Sequence, residues 1–504
     1  MNRIGSNTII NIASRIWSML SIYIFVPLYI EILGETSYGL VSFFATLQTA
    51  FNILGLGLAN TLRREMAVGE KNVENNIKKY KLLRSIEIIY VGIAILICLI
   101  CILFSDQIAT EWLIIDTLDP ILVARVISLM GISIAIQLIA NLHLGVLFGL
   151  DCQIIANSAC IVWSAVKSIG SLLLIRYIKP DLLLFYGWHI LSDALYLLFL
   201  RYHGIHELNL EKNERMWKLK DIKQIKQVWK YASGILFISF IALANKQLDK
   251  IVISNNLPLA ELGAYNVAIT LGSLTTFVPQ ALYVSTFPLF TRYATNGETD
   301  KLKRFFSNLN KPVNIILSCM IAFIAAFSDN LIMIWTDSSE YVQMLGITAA
   351  LAVIAVGVVE YQELPYALAL AHGQTKYNAL VGGIFIPITF VATYFGITNY
   401  GLIGAGCVYM GLMLIQTLLY TYIVYRKYVY EHPLLHVATE IVMPLVCAML
   451  VAFTFKDIIG NFITSEWIML FVAVGGGIVT LGTELVLFAR KECKNVFENI
   501  IKKI

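Results

Sequence analysis

Charge is scarce in this chain of 504 residues: 14% of its side chains are Asp, Glu, Lys or Arg, and 58% are hydrophobic. Soluble globular domains carry about 25% charged residues. That deficit, with a mean hydropathy of +0.75, excludes a water-soluble protein. Also missing are the signatures of nucleotide and hydrolytic chemistry. No P-loop, Rossmann fingerprint, HExxH or GxSxG stands in a plausible context. ATP-driven transport is therefore unsupported, and no catalytic residue, metal site or cofactor is expected. Only eight cysteines occur, mostly in apolar runs, and none falls in an expected outer loop, which argues against a disulfide framework. Cys98 and Cys101 form a CxxC inside ILICLICILF and read as small core residues. Arg3 precedes an apolar run with no small-residue cleavage site, so a retained first span is expected rather than a signal peptide.

What the chain has in abundance is long apolar runs. A helix needs about 20 such residues to cross the hydrocarbon core, and irregular backbone cannot face lipid. The reading is an all-α polytopic membrane protein of about fourteen transmembrane helices. They are placed at 7–32, 38–62, 83–105, 121–144, 154–176, 182–201, 231–256, 263–290, 312–334, 342–368, 377–397, 401–425, 438–456 and 467–489. Lys and Arg number 29 on one side of this arrangement, and only Arg176, Lys179 and Lys456 lie on the other. By the positive-inside rule both termini are cytoplasmic. The longest outer loop spans about fifteen residues, and its Asp116 and Asp119 have no His or Arg beside them, which leaves a membrane-embedded glycosyl-transfer enzyme without a constellation.

The chain is written twice. ETSYGLVSF aligns with ELGAYNVAI, placing Tyr38 on Tyr265, and Arg64, Gly69 and Glu70 match Arg292, Gly297 and Glu298 in the following basic loops. Two pseudo-symmetric six-helix lobes are expected, 1–205 and 230–430. A basic linker, 206–229, joins them, and 431–504 holds two further helices and a basic tail. Such repeats mark transporters, with the substrate site at the repeat interface.

Five basic residues remain inside spans: Arg15, Arg125, Lys167, Lys246 and Lys250. Facing lipid at mid-depth, they would cost together about 12–17 kcal/mol, as much as a whole domain's stability. A water-filled interior that binds an anion is the better location. Snorkelling to the interface competes for Arg125 and Lys250. Lys246, Asp249 and Lys250 share one helix face at i, i+3 and i+4. Asp249, Glu360, Glu363, Asp193 and His189 are candidates for carrying a coupling H⁺ or Na⁺. Internal pairing of these groups with the five cations is the competing reading. Pro365 should kink the span holding Glu360 and Glu363. Gly55–Asn60, Pro279 and Pro288 mark further kinks, and Glu440 and Glu484 read as interfacial.

LYIEILGETSYGLVSF, the twelve-plus-two span count and QLDKIVISNNLPLAELGAYNVA resemble the polysaccharide-transport branch of the multidrug/oligosaccharidyl-lipid/polysaccharide exporter superfamily. Wzx-type O-antigen and capsule flippases are the nearest in kind. The resemblance implies two lobes around a central cavity and a bacterial inner-membrane flippase moving undecaprenyl-diphosphate-linked oligosaccharide by ion-coupled alternating access. It further implies a cationic cavity for the diphosphate and weight on Asp249. The extra helical pair is similar to one that shapes a lipid-tail groove in the lipid II flippase branch. Implied partners are the lipid-linked oligosaccharide and the bilayer, with a polysaccharide polymerase and chain-length proteins as candidates and no nucleic acid. A multidrug exporter of the same superfamily is the alternative, and it would prefer an acidic or aromatic cavity.

Overall fold

The computed structural model describes residues 3–68, 72–211, 214, 218, 221, 225–374, 376–463, 465–490 and 492. Among these the chain is helical and forms no strand beyond an isolated bridge from Ile114 to Pro258. The helices are α1 (Arg3–Leu33), α2 (Glu35–Ala67), α3 (Val73–Leu103), α4 (Pro120–Gly149), α5 (Gln153–Tyr177), α6 (Leu182–His206) and α7 (Ile225–Asn256). They continue as α8 (Leu259–Thr295), α9 (Thr299–Ala326), α10 (Ile347–Ala371), α11 (Lys376–Tyr428), α12 (Pro433–Gly460) and α13 (Glu466–Phe488). Eleven described helices are long and apolar enough to cross a membrane, or twelve with α2 counted as one bent span. The expected fourteen are not reached by this measure. One reason is that α11, counted once, holds two helical legs that meet at Gly401 and correspond to the spans expected at 377–397 and 401–425. Another is that α7, the site of the span expected at 231–256, falls outside the count.

Each irregularity has a sequence cause. In α11 the helix doubles back at Gly401, whose φ of 58° and ψ of −139° suit glycine alone among common residues. The two legs then close glycine against glycine: a methyl on Gly404 would drive into the Gly396 carbonyl oxygen. Gly404→Ala should therefore cost about 1–3 kcal/mol through overpacking, read as a lowered unfolding temperature of the purified protein. Within α8, a 3-10 turn at Ser273–Thr276 separates two helical stretches, immediately before Pro279, which has no N–H to give to Thr275. In α10 a 3-10 turn at Glu360–Gln362 precedes Pro365, which likewise frees the Tyr361 carbonyl. The two stretches of α2, Glu35–Ile53 and Leu58–Ala67, meet at 48°. There the Tyr90 hydroxyl donates to the Gly55 carbonyl, a side-chain insertion of the kind that kinks helices.

The residues divide into two compact units, Met1–Gly263 and Ala264–Ile504. In the first, α4 is the central post, in contact with α2, α3 and α6. Val126, Ile127, Met130, Ile134 and Leu142 bury most of its circumference, as expected of a helix apolar all round. The α2 and α7 helices pack side by side, and α2 meets the start of α8 so closely that a methyl on Gly39 would strike the Leu259 carbonyl. The second unit is built on α9, which packs against α10, α12 and α13. Glu440 and Glu484 are buried within the protein. They are 3% and 4% exposed. Glu440 lies in a π-helical turn, Ala438–Val442. His436 Nδ1 stands 2.8 Å from it, and Tyr425 and Asn310 bond its other oxygen at 3.2 and 3.1 Å. Buried, partnered carboxylates of this kind tie helices together, and hydropathy alone does not distinguish them from surface groups.

Candidate functional site

All five cations expected within spans fall in the first unit, and the structure sorts them into two kinds. Arg15 on α1 and Lys246 on α7 are exposed, as is Arg125 near the start of α4. None of the three forms an ion pair with an acidic side chain among the described residues. On α7 the i, i+3, i+4 spacing is realised: Asp249 is 2% exposed and acts electrostatically on the half-buried Lys250, as does Lys246. The helix thus keeps one carboxylate for two ammonium groups, and Lys246 remains the outlying charge.

Lys167 behaves differently. It is buried, and its Nζ donates to both oxygens of Asp193 at 3.0 and 3.2 Å. Asp193, with no exposed surface, also accepts from Trp163 Nε1 at 3.0 Å, Gln137 Nε2 at 2.7 Å and Ser133 Oγ at 2.5 Å. Gln48 on α2 completes the knot by donating to Gln137. The ammonium also sits 5.2 Å from the Trp163 ring centroid and 5.9 Å from that of Phe44, within cation–π range. A buried charge persists when its partner and hydrogen bonds are this complete. Lys167 and Asp193 therefore serve each other, as the competing reading anticipated. His189, one turn before Asp193, is 8% exposed and lies against Phe44, Phe185 and Tyr186.

Ser133, Gln137, Trp163 and Gln48 were not expected from the sequence. Their signal is faint: Ser133 and Gln137 are polar positions at i, i+4 of a largely apolar span and face a common neighbour.

In the second unit Glu360 is buried and Glu363 half-buried, at the 3-10 break of α10. Tyrosines gather around Glu363. Tyr283 stacks with Phe287 at 5.7 Å between centroids and 7° between planes, and with Tyr366 at 6.3 Å and 15°. Glu363 acts electrostatically on Tyr283, Tyr366 and Tyr420. Elsewhere in this unit, an open apolar cleft of about 330 Å³ lies between α9 and α13. Its walls include Met320, Phe323, Phe327, Leu470, Val474 and Ile478, and it presents almost no polar surface.

The family model for polysaccharide biosynthesis proteins matches residues 4–294, more than half of the chain and every one of the five cations. The chain belongs to this family. Members are polysaccharide-synthesis and flippase proteins of the exporter superfamily, and this one is a multi-pass membrane protein. No curated protein matches at the level of sequence, whereas the fold has solved relatives. The lipid II flippase MurJ in an inward closed conformation superposes with a TM-score of 0.72, covering 96% of this chain and 98% of that one at 12% identity. An inward-facing multidrug resistance MATE family transporter gives 0.66, covering 81% and 94% at 13% identity. A MOP superfamily transporter from Pyrococcus furiosus, described as having a binding pocket of reverse polarity, gives 0.52, covering 86% and 95% at 12% identity. At these identities the likeness establishes the MurJ/MATE fold of this family member.

Proposed function

We propose that this protein is a flippase that carries undecaprenyl-diphosphate-linked oligosaccharide from the cytoplasmic to the outer leaflet of a bacterial inner membrane, for O-antigen or capsule synthesis. The observation that carries the reading is the pair of exposed cations, Arg15 and Lys246, without acidic partners among the described residues, on helices covered by the polysaccharide family match. An isolated cation in hydrocarbon costs about 2.5–3.5 kcal/mol on insertion scales, so a cation left without a carboxylate is best explained by an anion that visits. A diphosphate supplies one, through short charge-assisted bonds. Arg15 and Lys246 hold it, Lys250 and Arg125 extend the positive field, and Lys167 acts through its buried pair with Asp193. The prenyl tail stays apolar throughout, and the 330 Å³ cleft beside α13 suits part of it. Both termini are cytoplasmic in this account, and catalysis is absent from it.

Transport is driven by an H⁺ or Na⁺ gradient. Asp193 with His189 in the first unit, Asp249 on α7, and Glu360 with Glu363 are its candidate carriers. Glu363 has the most direct mechanical consequence because its site is a 3-10 break within a span, a feature that often marks a hinge.

Deletion of the gene tests the proposal. The expected phenotype is loss of surface polysaccharide, with lipid-linked oligosaccharide accumulating in the inner leaflet and unchanged susceptibility to cationic dyes. Normal polysaccharide with raised dye susceptibility would instead identify a multidrug exporter. Glu363→Gln should flatten the dependence of export on the ion gradient while leaving headgroup binding intact.

A further inference from the structure

In the first unit α3, α4 and α6 converge on a carboxylate that the sequence does not advertise. Glu87 is 6% exposed. Its Oε2 receives Arg84 Nη1 at 2.5 Å, its Oε1 lies 3.0 Å from Arg201 Nε, and the fully buried His143 approaches the same oxygen at 3.3 Å. Arg84 also donates from Nε to the Tyr80 hydroxyl at 3.1 Å. One carboxylate therefore faces two guanidinium groups, and the cluster keeps a positive charge whatever the state of His143.

The outward side of the cluster is hollow. A cavity of about 550 Å³ is bounded by Tyr80, Arg84 and Arg201 at one end, and by Ile88, Val91 and Leu198 along its length. The last three are 44%, 38% and 61% exposed. In sequence terms Arg84 ends the basic segment 63–84 and Arg201 begins the basic segment 201–230, on the side that the charge count makes cytoplasmic. Each guanidinium has five N–H donors in a fixed fork. The contacts just described occupy two of them on Arg84, while Arg201 faces Glu87 as a charge, its Nε 3.0 Å from Oε1 without a hydrogen bond. The rest have no partner among the described residues.

Two forks at the level of the headgroups, with an apolar stripe leading from them toward mid-membrane, match one kind of ligand. It carries a phosphate at one end and a hydrocarbon chain at the other. Basic pockets between spans on the cytoplasmic side are a known means of holding anionic lipid headgroups, and the volume lies within the ordinary range of ligand pockets. We propose that this groove binds an anionic phospholipid of the cytoplasmic leaflet. Arg84 and Arg201 chelate its phosphate, Glu87 holds both forks in position, and an acyl chain lies on Ile88, Val91 and Leu198. The proposal rests on the orientation given above, and it is independent of what the protein transports.

The full chain, purified and stripped of lipid, would be titrated with phosphatidylglycerol while bound lipid is counted by native mass spectrometry. Arg84→Gln with Arg201→Gln should weaken binding at least about tenfold, since each charge-assisted bond is worth roughly 1.5–3 kcal/mol. Leu198→Trp, which fills the stripe and spares the charges, should weaken it too and should leave thermal unfolding unchanged. Phosphatidylcholine should bind the wild type and the double variant alike. Undiminished phosphatidylglycerol binding by the folded variants would overturn the proposal. So would equal protection by inorganic phosphate, which would indicate a soluble anion. Selective binding of a polyprenyl diphosphate over phosphatidylglycerol in this groove would also overturn it and make the site part of the transport path.

Discussion

Asp193→Asn should destabilise the protein by about 3–5 kcal/mol, the range for removing one partner of a buried ion pair. The variant leaves the buried Lys167 ammonium with one amide oxygen and the Trp163 and Phe44 rings but no counter-charge. The reverse change, Lys167→Met, should cost less, because Asp193 would retain the Ser133, Gln137 and Trp163 donors. The double variant Lys167→Met/Asp193→Asn removes both charges while preserving an oxygen acceptor for those donors, and it should recover most of the loss. Unfolding temperatures of the purified proteins give the comparison. Were Asp193→Asn as stable as the wild type, Lys167 would have to be hydrated, and the pair could not be a structural knot. Transport by the double variant adds a second result: retained activity assigns these two residues to the fold, and lost activity with restored stability assigns them to ion coupling.

Arg15→Ala with Lys246→Ala should have the opposite profile. Neither cation has an acidic partner among the described residues to leave stranded, so folding should be unaffected. Each contact to a diphosphate is charge-assisted and worth roughly 1.5–3 kcal/mol. Losing both should therefore weaken headgroup binding by two to four orders of magnitude, measured as the apparent Kd for a soluble short-chain analogue of the lipid-linked sugar. Arg15→Lys should restore only part of the affinity, because the ammonium lacks the planar fork that meets a phosphate in two places. Equal affinity in the wild type and the double alanine variant would place the anion elsewhere.

These two predictions concern residues that look alike in the sequence. Hydropathy located Lys167 and Lys246 within spans, and helical spacing put Lys246, Asp249 and Lys250 on one face. What spacing within a helix cannot supply is the rotation of that helix against its neighbours. Lys167 and Asp193 lie 26 positions apart on α5 and α6, and nothing in either segment states that the two faces meet. Glu87 shows the same limit more sharply. Its i, i+3 relation to Arg84 is visible in RSIEIIY, whereas His143 and Arg201 come from helices 56 and 114 positions further along. Kinks were easier to foresee, since a missing N–H is a local property: the breaks before Pro279 and Pro365 fall where the chemistry places them. The two legs that meet at Gly401 match the spans expected at 377–397 and 401–425, and their dependence on glycine at 396, 401 and 404 is local as well.

Translocation itself is the most direct test of the central claim. The purified chain would be placed in liposomes with a diphosphate-linked oligosaccharide carrying a fluorescent sugar, whose exposure on the outer surface is read by a membrane-impermeant quencher. The account predicts ion-gradient-dependent movement by the wild type and by Gly404→Ala at a permissive temperature, with none by the Arg15→Ala/Lys246→Ala variant. Equal movement by that variant, or gradient-driven export of organic cations in place of the sugar lipid, would contradict it.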